Sequence, residues 1–164
     1  MIISDNFFMN IYSLLEISTI LVNREISGKE ELLNQMIDTL KDRVSKPQLE
    51  EIRTAVFERE KIMSTGVGKN LAIPHGKVTS IDEHLASFAL LSDPIDFDSI
   101  DGNPVNMAFL LIGPEKKNSA HIKLLSRISR LMNNSSFRDS LADCKTEQDI
   151  YDKFELEEKR YFGN

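Results

Sequence analysis

Residues 64–77 read STGVGKNLAIPHGK, a stretch in which a glycine-rich segment leads into a short apolar run and then a histidine. The apolar run, 71–73, has the composition of a short buried strand and ends at Pro74. Because proline fixes one backbone torsion and Gly76 permits close backbone approach, we expect His75 at a constrained strand end beside exposed amides. This position suits a nucleophile, although a lone histidine after a proline is more often structural.

The surroundings of His75 indicate which chemistry is feasible there. Neutral imidazole can attack phosphorus and carry the group covalently, and the transferred phosphoryl group then needs hydrogen-bond donors for its negative charge. Candidate donors in this region are Ser64, Thr65, the amide of Gly76 and Arg59. The planar guanidinium of Arg59 can bind phosphate through two N–H groups, but its setting, FEREK, fits a solvated helix end equally well.

Two further histidines stand at positions 84 and 121. His121 falls in the first turn of a predicted helix, where the helix dipole disfavours imidazolium, so a neutral ring could donate an N–H to phosphate. A surface or capping position is the alternative for His121. His84 lies among acidic and polar neighbours at the start of a predicted strand, and we expect it to be solvated and without a role.

Apolar spacing on the N-terminal side of this stretch predicts helices. Ser27 and Glu30 form a capping-box pattern ahead of an amphipathic helix whose apolar positions continue to Val44. A second helix is expected after Pro47, ending near residue 59. Residues 64–70 are then expected to form a loop.

The C-terminal half combines strand and helix patterns. Residues 85–91 and 105–112 are strand candidates, and a third helix is expected to begin near Asn118 or Ser119. Thr146 and Asp149 suggest another helix start, while the charged tail from residue 155 is expected to fray. Helices flanking a few central strands indicate one α/β domain.

Composition restricts the possible functions. The net charge of −6 argues against nucleic-acid binding through a broad basic surface. The single cysteine, Cys144, excludes an intramolecular disulfide and a multi-thiolate zinc site, and no histidine stands near it to activate it. No apolar run approaches the roughly 20 residues of a membrane span, and no secretory signal pattern is visible, so we expect a cytoplasmic protein without membrane insertion.

Rival catalytic motifs are not indicated. The segment GVGK at 66–69 lacks the glycine spacing and the Ser or Thr of a P-loop. A Gly-x-Ser-x-Gly elbow of a hydrolase is missing from the sequence. The three histidines have no recognised short zinc spacing, which leaves a metal site formed by folded proximity as an alternative.

Several segments together resemble the active-site signature of type-2 enzyme IIA domains, from the bacterial phosphoenolpyruvate-dependent sugar phosphotransferase system. They are ERE at 58–60, STGVG at 64–68, LAIPHGK at 71–77, PIDFDSIDGNPV at 94–105 and HIKLL at 121–125. The fourth of these segments resembles the fructose and nitrogen branches. The resemblance covers most of residues 11–154.

This resemblance implies a site. In the family pattern His75 is the phosphorylated residue, Arg59 and His121 line its pocket, and Ser64 and Thr65 lie in the adjoining loop. No cofactor is implied.

The resemblance also implies a fold and partners. Residues 1–164 are expected to form a single-domain α/β sandwich with a mixed central sheet flanked by helices. Family members accept phosphate from the carrier HPr and pass it to a cysteine of an enzyme IIB domain, so we expect a partner surface with an apolar centre and acidic margins. Because no membrane IIC portion is visible and Cys144 lies too near the C-terminal end for an IIB loop, the chain is expected to be a freestanding IIA protein or part of a larger one.

Two roles remain open at this stage. One is a phosphocarrier that serves a fructose-class IIB domain. The other is a nitrogen-type regulatory protein, in which the phosphorylation state of His75 controls binding to target proteins.

Overall fold

The computed structural model describes residues 10–163, in which six strands form one mixed β-sheet. The strand order is β1–β5–β6–β3–β2, and β4 pairs with β6 beyond β3. In chain order the strands are β1 Ile20–Arg24, β2 Gly66–Gly68, β3 Leu71–Ala72, β4 His75–Val78, β5 Leu85–Ile95 and β6 Val105–Pro114. β5 and β6 are antiparallel, whereas β1 runs parallel to β5, and both β3 and β4 run parallel to β6.

Helices cover both faces of this sheet. Within the described part of the chain the α-helices are α1 Lys29–Asp38, α2 Lys46–Ile62, α3 Asn118–Met132, α4 Ser135–Ala142 and α5 Glu147–Phe162. Short 3-10 turns at Tyr12–Leu14 and Ile17–Thr19 precede β1, and another at Glu115–Lys117 joins β6 to α3. The fold is therefore the expected α/β sandwich with a mixed central sheet.

Side-chain alternation along β5 and β6 explains why the sheet is covered on both faces. Successive side chains of a strand point to opposite faces, so an uninterrupted apolar run must be buried on both. Ala108, Leu110 and Ile112 of β6 pack into the cluster formed with α1 and α2. Phe109 and Leu111 face the opposite way and pack with α3, α4 and α5.

Two of the predicted helix starts are confirmed, one of them by its cap. Thr146 accepts a hydrogen bond from the amide of Asp149 at the start of α5, in a reciprocal capping box. α3 begins at Asn118 as predicted. The capping box predicted for Ser27 and Glu30 is wrong: the N-cap residue of α1 is Gly28, and the amide and hydroxyl of Ser27 both donate to Glu31.

Other boundaries differ from the sequence expectation. α1 ends at Asp38, short of Val44, and α2 continues to Ile62 instead of ending near residue 59. The predicted loop at 64–70 contains β2, which pairs with β3. Strand β1 and helix α4 were not predicted.

The expectation that the tail frays from residue 155 is also wrong. α5 runs on to Phe162, and Glu158 within it is only 1% exposed. The Glu158 carboxylate accepts hydrogen bonds from the amides of Ile11 and Tyr12 and from Nε of Arg127. These bonds attach α5 to the segment before β1 and to α3. The number of charged residues in the tail does not predict such contacts.

Phe154 offers a test of this packing. Its ring is 1% exposed and lies 5.1 Å, 5.6 Å and 5.2 Å, centroid to centroid, from Phe88, Phe109 and Phe137. We expect Phe154→Ala to lower the free energy of unfolding by about 3–5 kcal/mol, because it leaves a cavity between α5 and the sheet. Urea denaturation measures this change.

The matched control is Leu156→Ala, two residues along the same helix, where the side chain is 66% exposed. Its effect should stay within about 0.5 kcal/mol. Equal losses for the two variants would contradict the assigned orientation of α5.

Candidate active site

His75 is the first residue of β4 and is half-buried against β6. The carbonyl of Pro74 accepts a hydrogen bond from the amide of Leu111, and His75 itself is in register with Leu111. Register partners on neighbouring strands share a face, and Leu111 packs on the side of α3. His75 therefore lies on the α3 side of the sheet, at the start of a strand where a strand end was expected.

The two nitrogens of His75 have different environments. Nδ1 lies 2.9 Å from the carbonyl oxygen of Ile73. Since a carbonyl can only accept, this contact requires the proton on Nδ1 and leaves the lone pair of the neutral ring on Nε2. On this ring, Nε2 is therefore the nitrogen whose lone pair is available.

His121 stands next to His75 on the first turns of α3. The two ring centroids are 6.0 Å apart, with an angle of 55° between the ring planes. His121 is only 2% exposed, and neither of its ring nitrogens has a hydrogen-bond partner among residues 10–163. A buried polar atom left unpaired costs free energy, and such atoms in a native protein are frequently kept for function.

The expectation that His84 is solvated is wrong. Its ring is 7% exposed and stacks on His121, with centroids 5.5 Å apart and an angle of 22° between the planes. The acidic neighbours Asp82 and Glu83 are exposed, but His84 directly precedes the first buried residue of β5. That position, next to a run that is buried on both faces, was the available signal for its burial.

Gly113 makes room for both buried imidazoles. A Cβ placed on this residue of β6 would lie 2.5 Å from Nδ1 of His121 and 2.5 Å from Nε2 of His84. Any side chain here would displace the rings. The two histidines are thus packed directly on the backbone of the central strand.

Burial and nearby cations keep these imidazoles neutral. Desolvation lowers the pKa of His75, and the positive charges of Arg59 and Lys77 add to this effect, while the Ile73 carbonyl and Glu60 oppose it. For His121, desolvation is again the largest cause, followed by the charges of His84 and His75, and its pKa falls to about 4. At neutral pH, His121 is consequently uncharged.

Arg59 lies in the last turn of α2. It is half-buried, and Nη1 donates to the carbonyl of Met63, 2.8 Å away, at the C-terminal end of the helix. Its charge acts on His75. Arg59 is thus a helix-end residue whose charge acts on His75, and its role in binding phosphate stays a prediction.

Ser64 and Thr65 use their hydroxyls within the loop that follows α2. The Ser64 hydroxyl donates to the carbonyl of Phe97, 2.8 Å away, and accepts from the amide of Gly66. Thr65 is buried, and both its amide and its hydroxyl donate to the carboxylate of Glu60. In this arrangement both hydroxyls hold the loop, and their role as phosphate donors stays a prediction.

Glu60 extends this network to the first helix. Its buried carboxylate also pairs with Nζ of Lys29, 2.8 Å away. The carbonyl of Thr65 in turn accepts from the amide of Ile73. A chain of polar contacts therefore runs from α1 through the end of α2 to the residue whose carbonyl orients His75.

Packing against α2 favours a residue without a side chain at position 76, and the phosphate-binding role of Gly76 stays a prediction. A Cβ at this position would lie 3.3 Å from the backbone nitrogen of Val56 and 3.4 Å from the carbonyl carbon of Ala55. Both atoms belong to the backbone of α2, which cannot give way easily. The close approach of β4 to α2 is what places His75 near Arg59.

Other chemistries find little support in the part of the chain that is described. Across residues 10–163, no group of three or more His, Cys, Asp or Glu side chains is arranged to hold a metal ion. Cys144 is buried in the connection between α4 and α5, where burial raises the pKa of its thiol. None of the helices in this range combines the length and apolar character needed to cross a membrane.

The neutrality of His121 can be tested by NMR. We expect its ring to titrate with a midpoint near pH 4, well below the ordinary 6.5, because protonation would place a charge in a desolvated site. The unfolded chain binds this proton at higher pH than the folded protein, so the stability of the fold should decline as pH falls from 6.5 towards 4. His121→Gln removes the titrating group and should show a smaller decline over that range. A midpoint near 6.5 would contradict the assignment.

A family model and several relatives match this chain. The family model described as "Phosphoenolpyruvate-dependent sugar phosphotransferase system, EIIA 2" matches residues 13–156. The chain is 32% identical over 144 residues to the PTS system fructose-specific EIIABC component of Bacillus subtilis (strain 168), which covers 88% of this chain and 23% of that protein. It is 44% identical over 101 residues to a nitrogen regulatory protein of Bradyrhizobium diazoefficiens, covering 59% of this chain and 66% of the relative. The chain thus spans less than two thirds of the length of each of these two relatives.

Solved structures share the fold. The nitrogen regulatory protein IIA-Ntr from Neisseria meningitidis superimposes with a TM-score of 0.81 at 28% identity, over 88% of this chain and 98% of that one. The mannitol enzyme IIA of Escherichia coli, solved in complex with phosphorylated enzyme IIB, superimposes with a TM-score of 0.71 at 17% identity, over 87% and 97% of the two chains. With the family model matched from residue 13 to residue 156, the chain belongs to the EIIA type 2 family of the phosphoenolpyruvate-dependent sugar phosphotransferase system.

Proposed function

We propose that this chain is a phosphocarrier, in which Nε2 of His75 accepts a phosphoryl group from an HPr-type carrier and passes it to a cysteine of a fructose-class enzyme IIB domain. The observation that supports this most directly is the hydrogen bond from Nδ1 of His75 to the carbonyl of Ile73, because it leaves the Nε2 lone pair available. The fructose-specific relative supports the sugar class.

The transfer follows from the protonation state of His75. Nε2 attacks the phosphorus of the donor's phosphohistidine, so that an N–P bond forms on His75 while the donor's N–P bond breaks and its electron pair returns to the donor ring. Positive charge develops on the His75 ring during the attack. The Ile73 carbonyl stabilises that charge through the Nδ1–H, in the way an acceptor orients and stabilises a catalytic imidazolium.

In this proposal two side chains receive the charge of the phosphoryl group. His121, with its ring centroid 6.0 Å from that of His75, would donate a ring N–H, and it can do so without a charge of its own. Arg59 has further N–H groups beyond the one that Met63 accepts, and its positive charge already acts on His75. Preorganised donors of this kind contribute most where water is excluded.

The surface beside the site is suited to transient partners. Large apolar side chains are exposed on the segments that flank it: Ile62, Met63, Val67, Ile100 and Ile122. The amide of Ile100 bonds the carbonyl of Gly66, so the loop after β5 lies against β2. Modest apolar interfaces favour rapid exchange of partners. The acidic margin stays a prediction, because the groups that shift the pKa of His75 include two cations, Arg59 and Lys77, and the carboxylate of Glu60.

A second function, regulation of the nitrogen type, is supported by the relatives. The Bradyrhizobium nitrogen regulatory protein is 44% identical over the matched region, and the Neisseria IIA-Ntr structure is covered over 98% of its length. In this alternative the same chemistry at His75 switches contacts with target proteins instead of supplying a sugar transporter.

We further propose that residues 1–164 act as one IIA domain in the cytoplasm, with no cofactor and no nucleic-acid partner. The net charge of −6 and the family membership support this setting.

His75→Ala tests the proposed phosphoryl acceptor. We expect no labelling of this variant by phosphoenolpyruvate, enzyme I and HPr, because no ring nitrogen remains, while its circular dichroism spectrum should match that of the unmodified protein. The phosphorylated protein should be acid-labile and alkali-stable, as a phosphoramidate is. His121→Gln, which keeps a side-chain N–H, should be labelled at a reduced rate. Full labelling of His75→Ala would overturn the proposal.

A chase of the labelled protein separates the two functions. Mixed with a fructose-type IIB domain, a sugar phosphocarrier should lose its label to the IIB cysteine within seconds. A purely regulatory protein should retain the label under the same conditions and bind its target differently in the two phosphorylation states.

Arg59→Ala tests the role of the guanidinium. Loss of a charge-assisted donor should slow phosphoryl transfer about 30- to 1000-fold, equivalent to roughly 2–4 kcal/mol of transition-state stabilisation. Lys61→Ala is the matched control, since Lys61 is an exposed cation in the same helical turn. Rapid-quench measurement of transfer from phosphorylated HPr gives both rates, and equal rates would reduce Arg59 to a helix-end residue.

A further inference from the structure

His84 is the buried imidazole that the proposed transfer leaves unused. It lies directly before β5, at 7% exposure, and its Nε2 has no hydrogen-bond partner within the described range 10–163. Nearby charges do not supply one: Lys117 and Glu83 act on its pKa, but neither is bonded to Nε2. A buried ring nitrogen without a partner suggests a second state of the site in which a partner is present.

The nearest polar atom on the neighbouring ring is placed to become that donor. Nε2 of His84 and Nδ1 of His121 each lie 2.5 Å from the position that a Cβ on Gly113 would take. The two nitrogens therefore border the same space above Gly113, and the distance between them is at most twice that value. The rings are stacked at 5.5 Å, centroid to centroid. A small rotation of either ring brings the two nitrogens towards hydrogen-bond distance.

Phosphorylation of His75 would change the protonation state that His121 favours and the hydrogen-bond acceptors that it needs. A phosphoryl group adds a negative charge of about 1.5 to 2 next to His121, which favours the imidazolium over the neutral ring. The imidazolium carries two N–H groups. One can donate to the phosphoryl oxygens, but the Nδ1–H, buried against Gly113, then needs an acceptor inside the protein.

We propose that His84 is a positioning residue for His121, and that its Nε2 accepts the Nδ1–H of His121 when His75 carries a phosphoryl group. This inference rests on the proposed phosphoryl transfer. As the N–P bond forms on His75, His121 takes up one proton from solvent, its Nε2–H donates to the phosphoryl group and its Nδ1–H donates to His84. No other covalent bond changes. When the phosphoryl group leaves, the proton returns to solvent.

Several charges from the surrounding elements act on this proton uptake. The charge of Lys77 on β4 acts on His121, and that of Lys117, just before α3, acts on His84, and both disfavour a further positive charge. Glu83 favours it at His84, and the phosphoryl group on His75 favours it at His121. In the unphosphorylated site, desolvation, the largest cause of the lowered pKa of His121, acts without an opposing negative charge on His75, so the ring stays neutral.

The test compares two substitutions of His84 in the full chain. His84→Phe keeps a flat ring that can stack on His121 but removes the acceptor, whereas His84→Gln offers an amide oxygen close to the position of Nε2. Each protein is phosphorylated with phosphoenolpyruvate, enzyme I and HPr. The protonation of His121 is followed by 15N NMR before and after phosphorylation, and the transfer rate is measured between pH 5.5 and 8.

We expect His121 to gain a proton on phosphorylation in the unmodified protein and in His84→Gln, but not in His84→Phe. Transfer by His84→Phe should be slower by on the order of 10-fold, with a flattened pH profile, and His84→Gln should restore most of the rate. Should the unmodified protein be labelled while His121 behaves identically in all three proteins, the role of His84 falls and the phosphocarrier function stands. If the unmodified protein takes no label at all, both proposals fall. Loss of folding in His84→Phe would leave His84→Gln, in which an unprotonated phosphorylated state would still overturn the inference.

Discussion

The burial of β6 on both faces is the constraint on which the rest of the structure depends. All but one of the residues from Val105 to Pro114 are buried, so the strand must have a helical layer on either side and hydrogen-bonded strands on either edge. Those neighbours bring the histidines together. On one edge of β6, β4 begins with His75 beside the C-terminal half of the strand. On the other edge of β6, β5 begins just after His84. Helix α3 carries His121 back over the end of β6. The site is a consequence of how the central strand is covered.

Close packing on this strand also sets the electrostatics of the site. Gly113 and Gly76 have no side chains, which lets two imidazoles lie on β6 and lets α2 lie on β4. The same contacts remove water from the rings, and desolvation is the largest cause of the lowered pKa at each of His75, His84 and His121. A set of imidazoles that is uncharged at rest can receive a phosphoryl group without first losing protons. In the proposed mechanism, His121 becomes charged only when a phosphoryl group places negative charge on His75.

Sequence patterns predicted the parts of this arrangement that depend on local chemistry. The apolar runs predicted β5 and β6, and Thr146 predicted the start of α5. The motif around His75 indicated the family, which the family model confirms. The parts that were missed depend on contacts distant in the chain. His84 stacks on His121 of α3, and Glu158 accepts a hydrogen bond from the amide of Ile11, 147 residues away in the chain. Neither effect leaves a periodic signal in one sequence.

The two candidate roles, sugar phosphocarrier and nitrogen-type regulator, place the same demand on the interior and different demands on the surface. Both need a neutral nucleophile at His75 with donors that respond to a phosphoryl group, and the contacts that bear on this are the Ile73 carbonyl at Nδ1 of His75 and the burial of His121. A partner meets instead the exposed apolar side chains at the end of α2 and on the loops beside it, among them Met63 and Ile100. The amide of Ile100 donates to the carbonyl of Gly66, next to Thr65, whose amide donates to Glu60. At the end of α2, Arg59 donates to the carbonyl of Met63. In either proposed role, a phosphoryl group on His75 would place its charge close to residues that are hydrogen-bonded to the loop and helix end carrying these apolar side chains.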